Sequence, residues 1–303
     1  IVAFIFAERA AKHEALLPLT LFKSRTFSMS TILGVIIGVG MFGGMMTLPL
    51  LLQIVMGATP TEAGFMMLPM VGGMMTATIV SGQITSRTGK YKPFMVIGPI
   101  LLALGYLYLT SFNVDTEYWQ ASIGMVLIGL GLGQLMQTLT LAAQNSVPAS
   151  EVGVATSSAT FFRQMGGTLG VAVFISILFN NLVDTIPAAF KRTDVQEGIR
   201  AALSDPKVIA DPNNADFIKS LQSGNMAALG SKLNTDSSFL NNLDPRLAKP
   251  FLIGFADAGV TVFSIAAGVV AIAIVLAIFT KAPALRSKSA SQEAAQAAAA
   301  AAH

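Results

Sequence analysis

The sequence has no cysteine, only two histidines, and charged side chains (Asp, Glu, Lys and Arg) at only 12% of its 303 positions. The lack of cysteine excludes disulfides, thiolate nucleophiles and cysteine metal sites, and two histidines are too few for a histidine metal cluster. A soluble domain carries about 25% charged residues. With 53% hydrophobic residues, the composition therefore indicates an all-α membrane protein with several spans.

Other classes of function also lack their signature residues. The net charge of +3 is spread over the loops, and no basic stripe interleaved with aromatic residues indicates a nucleic-acid surface. No glycine-rich Walker loop is present, so nothing indicates nucleotide binding. In the spans, no histidines, cysteines or paired carboxylates converge as an enzyme would need. The sequence therefore predicts no cofactor, no metal and no catalytic residue.

Six apolar stretches are long enough to cross a bilayer, which takes about 20 helical residues. They are residues 28–54, 63–85, 94–111, 119–144, 152–182 and 250–280. We divide the chain into a preceding helix end with a cytoplasmic linker (1–27), five spans (28–182), an extracytoplasmic loop (183–249), a last span (250–280) and a low-complexity cytoplasmic tail (281–303). Because the chain opens within an apolar run, we expect it to be the C-terminal part of a longer protein.

The stretch Ser81–Pro93 orients all six spans. It places Arg87, Lys90 and Lys92 between two apolar runs, and the positive-inside rule puts so basic a connection in the cytoplasm. Alternation then places the two short acidic loops and the long loop outside, and the C-terminus in the cytoplasm. In the long loop, Thr193 to Gln196 has the spacing of a capping box that opens a short helix, and residues 216–229 form a second candidate helix.

The same basic stretch carries the pattern Gly-x-x-x-polar-Arg-x-Gly-basic, at Gly82, Ser86, Arg87, Gly89 and Lys90. It resembles the cytoplasmic signature loop of the major facilitator superfamily, where an aspartate usually takes the place of Ser86. Two further stretches, LPLLLQIVMGATPTEAG (48–64) and VATSSATFFRQMGGTLGVAVFISIL (154–178), resemble the fourteen-helix drug:proton antiporter branch of that superfamily, often described as EmrB/QacA-like.

This resemblance implies the C-terminal six-helix bundle of a major facilitator fold, in which two six-helix halves rock about a central site. It implies export of hydrophobic, often cationic compounds from the bacterial plasma membrane in exchange for protons. The expected partners are small drug-like molecules, protons and the lipid bilayer, and no envelope-spanning adaptor protein is identified. Two alternatives stay open: a dedicated exporter of one metabolite, lipid or antibiotic, and a non-transporting membrane scaffold or sensor.

Three charged residues are candidates for proton coupling or gating. Arg163 lies about 16 Å along its helix from Val152, near the middle of the fifth span, where a guanidinium must be paired or solvated. Asp257 is the one carboxylate clearly inside a predicted span, and Glu62 lies at the outer mouth of the second span. The alternative for Arg163 is a structural ion pair, and for Asp257 a capping or vestibule role.

Candidate cavity residues come from three spans. The amides Gln134 and Gln137 lie on one helix face, where they either line a cavity or join helices by hydrogen bonds. Met41 and Met45 belong to a methionine cluster, and flexible thioethers suit either a promiscuous pocket or ordinary packing. Thr160 and Gln164 flank Arg163.

Overall fold

The computed structural model describes residues 19–222, 240 and 242–280. In these ranges the regular structure is helical, with ten α-helices and two short 3-10 turns, Leu19–Lys23 and Ala149–Glu151. The helices are α1 (Arg25–Ile54), α2 (Pro60–Met66), α3 (Leu68–Thr88), α4 (Lys92–Leu109), α5 (Tyr118–Asn145), α6 (Val152–Phe190), α7 (Thr193–Leu203), α8 (Pro206–Ala210), α9 (Pro212–Gln222) and α10 (Pro245–Phe279). The predicted N-terminal helix end, most of the linker and the tail lie outside the described residues, as does the end of the candidate helix 216–229.

Six helical segments are long and apolar enough to span a membrane, as the sequence predicts. They are α1, α2 with α3, α4, α5, α6 with its preceding turn, and α10. The second span is divided at Met67, which ends α2 and precedes α3. Pro69 lies in the first turn of α3, where its missing N–H does not interrupt the hydrogen bonding of the helix.

The basic stretch Ser81–Pro93 is mostly helical, which corrects its interpretation as a loop between two spans. Helix α3 continues through Thr88 and ends at Gly89, whose φ of 68° is left-handed. The Gly89 N–H donates to the Thr85 carbonyl (2.8 Å), a C-terminal arrangement that glycine adopts without steric cost. Arg87 therefore lies in the last turn of α3, where a cation interacts favourably with the helix dipole.

Consecutive spans run in opposite directions, so the connections between them lie at two opposite ends of the bundle. The end that holds the start of α1, the α3–α4 turn and Lys92 is called the basic end. The other, called the cap end, holds α2, the α4–α5 loop and the helices α7, α8 and α9. Helices α6 and α10 reach further toward the cap end than predicted, since α6 continues to Phe190 and α10 starts at Pro245.

Glycines bring the backbones of the most closely packed helices into contact. Where α1 crosses α6, a Cβ atom on Gly38 would meet the Arg163 carbonyl, and Cβ atoms on Gly166 and Gly170 would meet the carbonyls of Val35 and Val39. The α3–α5 crossing is built in the same way, from Gly129 and Gly133 against Met70 and Met74. Small residues at such crossings let helices in lipid gain close van der Waals contact.

A buried tyrosine joins three helices in the middle of the bundle. The Tyr106 hydroxyl of α4 donates a hydrogen bond to the Gly40 carbonyl of α1 (2.7 Å). Its ring is fully buried and stacks on Phe263 of α10, with ring centroids 6.2 Å apart. A buried hydroxyl without a partner would be costly, so this contact orients α4 relative to α1.

Two spans expose most of their surface in the part of the chain that the structure describes. In the most apolar 18-residue stretch of each span, only 17% is buried in the α2–α3 span and 22% in the α6 span, against 61% in α5. The exposed side chains of α3 and α6 include large apolar ones: Val71, Met75, Ile79, Phe161, Met165, Leu169 and Val173. The bundle therefore presents two long apolar faces beyond its own core.

Candidate functional site

Arg163 is the charged residue placed deepest in the spans. Its main chain lies against Gly38 of α1, and its Cβ is 3.9 Å from the position of a Cβ on Gly34. The side chain is half-buried. No hydrogen bond or ion pair joins its guanidinium to another described residue. Gly34 and Gly38 thus let α1 pack closely beside Arg163. The structural ion pair considered for Arg163 does not form within the described residues.

Asp257 lies on α10, far from Arg163. It is exposed, and one helical turn away Thr261 donates to its backbone carbonyl (3.2 Å). The Thr185 hydroxyl donates to the Gly254 carbonyl (2.9 Å), which fixes the level of this part of α10 against the cap end of α6. From the helical rise, Asp257 and Arg163 are about 28 Å apart along the bundle. The two charges are therefore separate features.

Glu62 is already engaged at the start of α2. Its carboxylate accepts from the Thr59 N–H (2.8 Å) and the Thr59 hydroxyl (2.9 Å), and the Thr59 hydroxyl accepts from the Glu62 N–H (3.3 Å). This reciprocal pair is a capping box. Glu62 therefore has a structural role at an exposed helix start.

The polar cavity candidates are divided between the interior and the surface. Gln134 is buried at 9% exposure, and its Oε1 has no hydrogen-bond partner among the described residues. Gln137 lies beside Gly82, 3.2 Å from the position of a Cβ there. Thr160 is half-buried and Gln164 is exposed on α6. The Gln134 Oε1 could therefore still accept a hydrogen bond from a group outside the described residues. Gln137 packs at the α3–α5 contact.

The two methionines differ in burial. Met41 is 2% exposed and belongs to the main hydrophobic core, while Met45 is half-buried and packs against that core. The structure therefore gives Met41 the packing role that the sequence left as its alternative. In the pattern that resembles the cytoplasmic signature loop, Ser86, Arg87 and Lys90 are exposed and Gly82 and Gly89 are half-buried.

Beyond the membrane spans, α7, α8 and α9 form a packed cap on the ends of α6 and α10. Apolar side chains of the cap are buried in the main core, among them Val195, Ile199, Val208 and Phe217. Helix α7 starts at Thr193 as predicted, but its capping box does not form: Arg192 precedes the helix, without a side-chain capping bond. The cap is therefore held by its apolar face and by polar contacts with α10.

Those polar contacts join charged and amide side chains. Arg246 pairs with Asp244 (2.9 Å) and with Asp205 (3.3 Å). Asn214 is buried, donates to the Val208 carbonyl and accepts from the Asp244 N–H, both at 3.0 Å. The Asp244 carboxylate accepts hydrogen bonds from the Arg246 guanidinium and from the Arg246 N–H, and these two contacts with Arg246 hold the pKa of Asp244 below its ordinary value.

The pair of Lys249 and Asp194 makes the cap sensitive to acid. Lys249 Nζ lies 3.0 Å from the Asp194 carboxylate, and this hydrogen bond, with a smaller contribution from Arg192, holds the pKa of Asp194 below its ordinary value. A lowered pKa in the folded state stabilises the fold above about pH 3.9, the ordinary aspartate pKa, and this stabilisation is lost on further acidification.

We therefore expect a modest increase in amide hydrogen exchange in α7 below about pH 3.9, relative to a matched unfolded reference at each pH. The Lys249→Gln variant should show the faster exchange already at neutral pH. The Lys207→Gln variant is the control, because Lys207 is exposed and forms no ion pair with another described residue. Equal exchange in both variants at every pH would contradict the role of the pair.

Comparison with known proteins agrees with this architecture. Residues 4–171 match the family described as Major Facilitator Superfamily. The tetracycline resistance determinant of Streptomyces rimosus is 33% identical over 273 residues, which cover 90% of this chain and 76% of that protein. The resemblance of the signature loop and the fifth span to the superfamily is confirmed.

Two longer relatives are similar over smaller shares of their length. The multidrug transporter protein MdtP of Bacillus subtilis is 40% identical over 178 residues, 59% of this chain and 32% of MdtP. The tetracenomycin C resistance and export protein of Streptomyces glaucescens is 28% identical over 271 residues, 88% of this chain and 46% of that protein. The matched region therefore spans less than half the length of these two relatives.

Proposed function

The chain belongs to the major facilitator superfamily, and from this premise we propose that it is the C-terminal half of a proton-coupled exporter of hydrophobic, drug-like compounds. The similarity over 90% of the chain to a tetracycline resistance determinant carries the proposal. The names of two further relatives, a multidrug transporter and an antibiotic export protein, support drug efflux as the general activity. They also favour a transporter over an enzyme.

The exposed faces of α3 and α6 support the assignment to one half of a longer transporter. A major facilitator has two six-helix halves that move against each other around a site near the middle of the membrane. We propose that the preceding half of a fourteen-helix chain packs on these two faces, and that the basic end faces the bacterial cytoplasm. The cap then lies on the outer side of the plasma membrane.

We assign the proton-carrying role in this half to Asp257. It is the one carboxylate in the part of α10 that the sequence predicts to span the membrane, and an acid within a span can change its protonation as access to water alternates. Glu62 is a weaker candidate, since both hydrogen bonds that its carboxylate accepts come from Thr59 and belong to the capping box. Gln134 and Thr160 are assigned to the cavity wall, and the α3–α4 turn with Arg87 and Lys90 to the conformational change.

Proton release from everted vesicles tests the proposal. Vesicles that contain the complete transporter chain are acidified by respiration, and hydrophobic compounds, a lipophilic cation among them, are then added. We expect the compound to release protons from wild-type vesicles, and we expect Asp257→Asn to abolish that release. Asp115→Asn is the control, because Asp115 lies in the exposed α4–α5 loop and should leave release unchanged.

The outcomes separate the alternatives. Release that survives in Asp257→Asn would move the proton carrier to another acid and keep the antiporter. The absence of release with every compound, in vesicles that do accumulate one of them, would contradict proton antiport. Release with one compound class only would favour a dedicated exporter over a multidrug exporter.

A further inference from the structure

We propose that Arg163 binds an acidic oxygen of the transported compound, such as a carboxylate or an ionised enol or phenol, and so selects for substrates that carry one. The inference rests on the proposed export function and narrows its substrate class. It starts from a guanidinium that is half-buried on α6, at the level of Gly38 in the middle of α1, without a partner among the described residues. A charge in that position is costly until it is paired or solvated.

The main chain of Arg163 lies in the close backbone contact between α1 and α6. Its carbonyl lies against Gly38, and the next turn of α6 places Gly166 and Gly170 against the carbonyls of Val35 and Val39. Helices in backbone contact cannot slide past each other without clashes. The guanidinium therefore projects from a rigid pair of helices, which is what a binding group needs to keep its geometry.

The elements packed against α6 supply no acid at this level. Neither α1 nor α5 contains an aspartate or glutamate. Along α6, Glu151 and Asp184 are about 18 Å and 32 Å from Arg163 by the helical rise, and Asp257 of α10 is about 28 Å away. Within the described residues, the positive charge at mid-span is therefore uncompensated.

An uncompensated guanidinium favours one class of ligand. It is planar and weakly hydrated, and it presents several N–H donors that match the two oxygens of a carboxylate. Such charge-assisted hydrogen bonds are stronger than those between neutral groups. A lipophilic cation at the same place would be repelled. This half of the transporter should accordingly bind the acidic end of a substrate, and a cation would have to be bound elsewhere.

Two xanthene dyes of similar shape and opposite charge test the inference. The dissociation constants of fluorescein, an anion, and rhodamine 6G, a cation, are measured by fluorescence anisotropy with the purified complete transporter in nanodiscs. For Arg163→Gln we expect fluorescein binding to weaken at least about tenfold, the loss of a hydrogen bond to a charged group, while rhodamine 6G binds as before or more tightly. Lys207→Gln removes an exposed charge from the cap and should change neither constant.

The Arg163→Lys variant keeps the positive charge, so it still tests the inference if the glutamine variant does not fold. It should weaken fluorescein binding by a smaller factor than Arg163→Gln, because one ammonium cannot form the paired hydrogen bonds. Equal weakening of both dyes would overturn the inference and indicate that Arg163 pairs with a carboxylate of the preceding half. Unchanged fluorescein binding in both variants would overturn it as well.

The same samples separate this inference from the proposed function. Arg163-dependent binding of fluorescein in a protein that releases no protons would support the recognition site and contradict antiport. Compound-driven proton release, together with fluorescein binding that is unchanged in the Arg163 variants, would support antiport and contradict the recognition site.

Discussion

Replacing Gly38 with leucine should force α1 and α6 apart and destabilise the whole bundle. A Cβ atom at this position would meet the Arg163 carbonyl and would lie 3.1 Å from the Gly167 nitrogen. Both obstacles are main-chain atoms of a helix, so neither can rotate away. Overpacking by a few methylene groups costs about 1–3 kcal/mol even where side chains can adjust. We expect the leucine variant to lose at least that much stability and most of its export activity.

Thermal unfolding of the purified protein in detergent, followed by size-exclusion chromatography, measures this effect. Gly268→Leu is the matched control, because Gly268 lies on α10 and no atom comes within 4 Å of a Cβ built there. The control should unfold at the wild-type temperature. If Gly38→Leu were as stable as Gly268→Leu, the backbone contact between α1 and α6 would not exist in the folded protein.

The number and order of the spans could be predicted from the sequence because lipid imposes a simple requirement on each of them. A spanning helix needs about 20 apolar residues whatever it packs against, and each predicted span coincides with a helical segment long and apolar enough to cross a membrane. The helix ends could not be predicted in the same way. Helix α6 continues eight residues past the predicted end, to Phe190, because its last turns pack against the cap and α10, and hydropathy does not register that contact.

In the candidate site, too, some features could be predicted from the sequence and others could not. A lone arginine in an apolar span stands out, so Arg163 was found from the sequence. The separation of Arg163 from Asp257 was not, because depth depends on how α6 and α10 are paired. Burial of Met41 and the hydrogen bond from Tyr106 to Gly40 depend on which face of each helix turns inward. In a helix that is apolar all round, the sequence does not specify that face.

The cap should come loose when Phe251 is replaced with alanine. Phe251 of α10 is 1% exposed and lies edge-to-face between Phe190 and Phe217, with ring centroids 5.6 Å and 5.7 Å away. It therefore joins the end of α6, the cap helix α9 and α10 in one aromatic cluster. Truncation of a buried phenylalanine costs about 3–5 kcal/mol. We expect the cap to become a substrate for proteolysis while the membrane spans stay folded.

Limited proteolysis of reconstituted protein, with fragments identified by mass, gives the site and rate of cleavage. Phe279→Ala is the control on the same helix, because Phe279 is 72% exposed and its loss should not change the cleavage rate. Protection of the cap in Phe251→Ala equal to that in the control would mean that the ion pairs of Arg246 and Lys249 hold it without the cluster. Faster cleavage within α7 to α9 alone would show that the cap is attached through its apolar contacts.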